Sequence, residues 1–254
     1  MKLSGLFLIV CLLTACASSG GGSEGTPEQD STRAQKIARI HTELAASYYD
    51  RAQYGVALQE VAVALKADAG FSQAYNVRAL IRMALHEDDK ADEDFRHSLA
   101  LDEVNSDTHN NYGWFLCQRG RMNESAKQFQ MALSNPLYAT PEMAYANLGL
   151  CLKKAGDLKG AESNLQRALT LRPNMPEALY GLADLNYGNG NYAAAQSYLA
   201  RFSQALPELN AEQLWLAVRI ERKMQDYDAE ASYALQLRKR FPDSRETKLL
   251  FQGQ

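Results

Sequence analysis

The chain has 254 residues, a formal net charge of −3 and only seven prolines. Mild acidity without a concentrated basic face gives no support for nucleic-acid binding. Alanine, leucine, glutamine and charged residues recur at helical spacing almost throughout, with no long β-branched alternation, so an all-α chain is expected.

The N-terminus reads as a processing signal. Lys2 supplies a positive charge, and residues 3–13 form an apolar stretch too short to span a bilayer. Leu13-Thr14-Ala15-Cys16 resembles the bacterial lipobox. That resemblance implies removal of residues 1–15 and acylation of Cys16, whose three chains would bury enough methylenes for a durable anchor. The alternative is an ordinary secretory signal with a chance cysteine. Ala17, Ser18 and Ser19 follow, without an aspartate, and the sorting rule that accompanies the lipobox then implies the outer membrane, facing the periplasm. Residues 16–33 are expected to be the lipidated cysteine and a flexible tether rich in Ser and Gly, with Asp30 or Ser31 capping the first helix.

Residues 34–250 repeat themselves. With Gly113 set over Gly149, Tyr112 falls over Leu148, Leu116 over Leu152, Gly120 over Gly156, Ser125 over Ala161 and Phe129 over Leu165. Two antiparallel helices pack closely only where one presents Gly, Ala or Ser and the other fills the gap. This is the pattern of the tetratricopeptide repeat, a helix–turn–helix unit of about 34 residues. Six units fit, at about 38–71, 72–105, 106–139, 142–175, 176–209 and 211–244, with Thr140 and Pro141 as an insertion. Leu44 and Ala45 take structural positions in the first. The sixth is degenerate, because Val218 and Glu230 stand where small residues belong, and a polar Glu230 suits a terminal unit facing solvent. The expectation is a right-handed superhelical solenoid with a long inner groove.

No catalytic or metal-binding set emerges. His41, His86, His97 and His109 do not pair at ligand spacing, and His86-Glu87-Asp88-Asp89 with Asp92, Glu93 and Asp94 reads as a solvated acidic edge. There is no phosphate loop, nucleophile elbow or cysteine with a base. No cofactor, small-molecule substrate or enzymatic activity is expected. Cys117 and Cys151 lie on the first helices of adjacent units at an offset that faces them across one seam, so a disulfide is expected in an oxidising compartment. A pair of buried thiols is the alternative.

Positions 2, 5, 9 and 12 of each first helix usually line the groove in this repeat class. They supply Tyr49, Asn76, Met83, Asn110, Trp114, Ala146, Lys153, Tyr180, Asp184 and Tyr187 as a candidate protein-binding surface. Amides can bond a peptide backbone at both ends, and aromatic side chains are typical anchors. An aromatic on a repeat helix is also often packing, and Trp114 stands between the two readings. No set of basic residues able to clamp a C-terminal carboxylate is found among these positions.

Asn110-Asn111-Tyr112-Gly113-Trp114-Phe115-Leu116-Cys117, then Asn147-Leu148-Gly149-Leu150-Cys151, together with Asn135-Pro136-Leu137-Tyr138 and Pro141, resemble the type IV pilus biogenesis/stability lipoproteins (PilW/PilF). The resemblance covers lipobox, tether and repeats. It implies an outer-membrane lipoprotein that helps the pilus secretin localise, assemble or stay multimeric, in the manner of a pilotin. A periplasmic adaptor for cell-wall enzymes or outer-membrane assembly factors is the competing reading, since a fold does not fix a function.

Overall fold

A computed structural model of the protein describes residues 27–253, which form thirteen α-helices and no strand. Twelve helices make six hairpins: α1 (Pro27–Asp50) with α2 (Tyr54–Ala67), α3 (Ser72–Ala84) with α4 (Asp88–Leu101), and α5 (Ser106–Gln118) with α6 (Met122–Ser134). Then come α7 (Pro141–Lys154) with α8 (Leu158–Leu171), α9 (Pro176–Gly188) with α10 (Tyr192–Ala205), and α11 (Ala211–Met224) with α12 (Tyr227–Arg240). A short α13 (Arg245–Phe251) closes the chain. Cys16 and the first part of the expected tether lie outside the described residues.

Each hairpin turns by the same device. The second residue beyond the first helix, or the first in the sixth hairpin, adopts a left-handed backbone, and the next N–H bonds back to a carbonyl five residues earlier. Gly120, Gly156 and Gly190 hold this place with φ of 76°, 86° and 77°, while Ala52, His86 and Gln225 hold it in the other three hairpins at 57°, 59° and 61°. The return bonds, from Arg121 N–H to the Leu116 carbonyl and its five counterparts, all measure 2.9–3.0 Å.

Within the hairpins, missing side chains set the approach. A Cβ on Gly113 would lie 2.9 Å from the Phe129 ring, and one on Gly149 would lie 2.7 Å from Leu165. Ser125 sits in the same crevice and satisfies its hydroxyl by donating to the Gly113 carbonyl at 2.7 Å. Between hairpins, Ala74, Thr108, Ala144 and Ala178 are fully buried against the preceding unit. Consecutive odd-numbered helices approach one another along their backbones, whereas among the described residues the even-numbered helices stand farther apart and meet through side chains, as Ser203 and Tyr233 do at 3.3 Å. The odd-numbered helices are therefore the inner, shorter side of a curved rod.

Three expectations need correcting at the boundaries. α1 begins at Pro27, ahead of Asp30 and Ser31, so the helical body starts before residue 34. The two-residue insertion before the fourth unit shows as a six-residue connection from α6 to α7, against four at α2–α3, α4–α5 and α8–α9. Thr140 becomes the N-cap and Pro141 the first residue of α7, where a proline lacks only an N–H that has no helical partner. Leu44 is 41% exposed, because among the described residues no hairpin packs over that side of α1. The sixth hairpin is not the end of the stack. α13 lays Leu249 and Leu250 onto the cluster containing Leu214 and Leu237, and Glu230 is half-buried, accepting from Arg222 at 2.8 Å.

Candidate protein-docking face

The inner face is built from the odd-numbered helices, and much of it is already spoken for. Asn76 and Asn110 are buried rather than open. Asn111 donates to Asn76 at 3.2 Å and Asn147 donates to Asn110 at 3.0 Å, so the amides stitch α3, α5 and α7 together. Ala146 is fully buried beside Leu165 and Leu182. These three residues belong to the seams, in place of the groove role expected for them. Asn111 and Asn147 were missed as their partners. The signal was present in the near-one-repeat spacing of the four asparagines.

The remaining candidates stay at the surface with part of each side chain packed. Met83 rests on the cluster of Phe95, Tyr112 and Phe115. Trp114 is half-buried against the cluster of Phe129, Ala144 and the two cysteines. Tyr49 lies 6.0 Å from the Tyr54 ring, Tyr180 5.4 Å from Phe202 and Tyr187 5.6 Å from Tyr192. Lys153 and Asp184 form an ion pair that links α7 to α9. The same frame extended into the sixth hairpin adds Arg219, whose guanidinium lies 4.8 Å from the Tyr187 ring and 5.8 Å from that of Trp215. Burial pushes the Tyr180 phenol well above its usual range, and the nearby Glu212 and Asp184 carboxylates push it further.

Cys117 and Cys151 face each other between α5 and α7, with Cα atoms 5.9 Å apart, joined as a disulfide. Both are almost wholly buried.

The stretch expected to be a solvated acidic edge is partly a buried charge network. Asp94 receives Arg78 through two bonds of 2.9 and 2.7 Å and Arg82 at 2.7 Å. Asp92 accepts from the Tyr112 hydroxyl and from Arg121, both at 2.9 Å, and also pairs with Arg96. Burial alone would raise the Asp92 carboxyl, but the hydrogen bonds from Tyr112, Arg96 and Arg121 outweigh it and hold the group below its ordinary value. The Tyr112 phenol moves oppositely, pushed up to about 12 by burial and by its bond to Asp92.

The histidines have structural places. His41 meets Glu60 at 2.6 Å, and His109 bridges Gln128 at 2.6 Å and the Glu103 carbonyl at 2.9 Å. His97 packs on the Tyr75 ring. Among the described residues no cluster of His, Cys, Asp and Glu is placed to hold a metal, and no helix is long and apolar enough to cross a membrane.

A family model described as tetratricopeptide repeat matches residues 152–218. The type IV pilus assembly protein PilF of Pseudomonas aeruginosa is 30% identical over 241 residues, 95% of this chain and 94% of its own. The crystal structure of PilW, a type IV pilus biogenesis factor, aligns with TM-score 0.76 and 35% identity over 85% of this chain and 98% of its own. The structure of Pseudomonas aeruginosa PilF gives 0.77 and 28% over 87% and 99%. With a stacked-hairpin fold, shared length and shared sequence, the chain belongs to the PilF/PilW family of tetratricopeptide-repeat proteins of type IV pilus biogenesis.

Proposed function

We propose that the protein is an outer-membrane lipoprotein, anchored through acylated Cys16 and facing the periplasm, that assists assembly, localisation or stability of the pilus secretin. It acts as a scaffold for pilus-assembly proteins and not as a catalyst. The carrying observation is the extent of the likeness to PilF. At 95% of the chain it exceeds the share held by residues 27–253, so it reaches into the leader and tether as well as the repeats. A stack of hairpins offers surface to a partner, and the exposed parts of Trp114, Tyr180 and Tyr187 are of the side-chain type that anchors protein interfaces. The Cys117–Cys151 bond fits an oxidising compartment, and we propose that it persists there.

A deletion strain tests this. Heat-stable secretin oligomers and surface fibres are expected to fall sharply, to return with the wild-type gene, and to return poorly with Cys16→Ser, which is expected to leave the outer-membrane fraction. Normal oligomers and fibres in the deletion strain would overturn the proposal.

A further inference from the structure

On the inner side of the last hairpins, α7, α9, α10 and α11 leave an open cleft of about 240 Å³. Its floor is apolar: Leu150, Tyr180, Phe202 and Leu206. Its size falls below the roughly 300–1,000 Å³ of small-molecule sites, which suits one large side chain better than a metabolite. Among its lining residues the only charge is negative. Glu177 stands on the rim, and Glu212 lies within hydrogen-bonding reach of the Tyr180 hydroxyl. Both glutamates are exposed, and among the described residues neither takes part in an ion pair. Of the cations on this face, Lys153 pairs with Asp184, and Arg219 stacks on the rings of Tyr187 and Trp215 while its charge reaches the Tyr180 phenol.

An apolar floor beneath unpaired carboxylates selects its ligand twice. Desolvation favours a bulky hydrocarbon or aromatic side chain, and the rim favours a neighbouring positive charge while rejecting a negative one. We infer that this cleft seats a large apolar side chain of a partner-protein segment, with a lysine or arginine immediately next to it. The inference rests on the reading of the protein as a docking scaffold and names the chemistry of one segment it takes. Electrostatic support comes from the Tyr180 phenol, whose ionisation is opposed first by burial and then by the Glu212 and Asp184 carboxylates, which outweigh the smaller opposite effect of Arg219.

The test uses the purified, isotope-labelled protein and three small probes: N-acetyl-phenylalanyl-lysine amide, N-acetyl-phenylalanyl-glutamate amide and N-acetyl-alanyl-lysine amide. The first is expected to shift the amide resonances of Glu177, Tyr180 and Gln213 saturably. It should bind roughly two- to fivefold tighter than the glutamate probe, the range an exposed charge pair allows, and tighter than the alanyl probe. Glu177→Gln with Glu212→Gln, at two exposed positions that leave the core untouched, should bring the lysine and glutamate probes to parity. Absence of saturable shifts at those residues, equal binding of the charged probes to the wild type, or equal binding of the phenylalanyl and alanyl probes would each overturn the assignment. The deletion strain separates this from the reading beneath it. A clear pilus defect alongside failed probe binding removes the cleft alone, whereas intact pili remove the pilus role whatever the probes do.

Discussion

Asn147 donates a 3.0 Å hydrogen bond to the side-chain carbonyl of Asn110, joining α7 to α5 one repeat away. A buried amide given to a neighbour is not free to read a peptide. Removing one partner strands the other, so Asn110→Ala is expected to cost about 1–3 kcal/mol. Chemical unfolding measures this. A cycle with Asn147→Ala should show coupling of about 0.5–1.5 kcal/mol between the two sites, and strict additivity would deny the bond any stabilising part.

Gly113 is held by contact, not by conformation. It is helical, and its φ is not in the left-handed region, yet a methyl group there would meet the Phe129 ring at 2.9 Å. Alanine's better helix propensity works in favour of Gly113→Ala by about 1 kcal/mol. Overpacking against a ring with no exposure should win, for a net loss of about 1–2 kcal/mol. Adding Phe129→Leu should recover part of the loss, and the urea midpoints of the single and double variants give the comparison.

At the hairpin turns the demand is conformational. Nothing lies within 4 Å of a Cβ built on Gly120, Gly156 or Gly190, so their positive φ is the whole reason for glycine. Ala52 and Gln225 adopt the same backbone with a side chain. A left-handed residue costs roughly 1–2 kcal/mol, and a glycine gives some of that back through the freer unfolded chain. Ala52→Gly and Gln225→Gly should therefore each raise stability by about 0.5–1 kcal/mol, while Gly156→Ala lowers it by about 1 kcal/mol. Opposite signs at equivalent turns are the readout.

These steric demands are why the fold was legible. Gly113, Gly149, Gly120 and Gly156 recur because every hairpin needs the same close approach and the same turn, so the sequence carries the geometry locally. The fate of polar groups is decided between units. Asp92 and Asp94 read as a wet edge until Arg78 and Arg82 arrive from α3 and Arg121 from the turn before α6. Asn76 and Asn110 read as groove amides until Asn111 and Asn147 are set beside them. The same positions carried into the degenerate sixth hairpin give Arg219 and Trp215. α13 was missed because a single seven-residue helix carrying Leu249 and Leu250 has no repeat to announce it.

Asp92 links stability to pH. Its folded carboxyl lies below the unfolded value, so its contribution is present at neutral pH and is lost as pH falls through the folded value. Tyr112, raised to about 12, contributes fully below pH 10 and loses its part as pH climbs through 12. Glu221 works against Asp92 in acid. Burial lifts its carboxyl, assisted by Asp226 and opposed by Gln196, so its contribution is present in acid and lost as pH rises. The difference between wild type and Asp92→Asn removes that background. It should be largest near pH 7 and shrink below about pH 4, in unfolding curves taken across that range. A difference that stays constant with pH would mean the carboxyl is not held down.

The Cys117–Cys151 bond spans 34 residues and clips α5 to α7 in the middle of the rod. A loop of that length, closed in the unfolded chain, corresponds to about 3–4 kcal/mol in the chain-entropy account. Repeat stacks are held mainly by neighbour contacts, so losing the clip at a central seam weakens the hold of one half of the rod on the other. Cys117→Ser with Cys151→Ser is expected to lower the urea midpoint substantially, and dithiothreitol should lower that of the wild type but leave the double variant unmoved. The decisive count is chemical: the denatured, unreduced protein should show no titratable thiol at position 117 or 151. Two reactive thiols there would mean that burial alone, and not a covalent bond, holds the central seam.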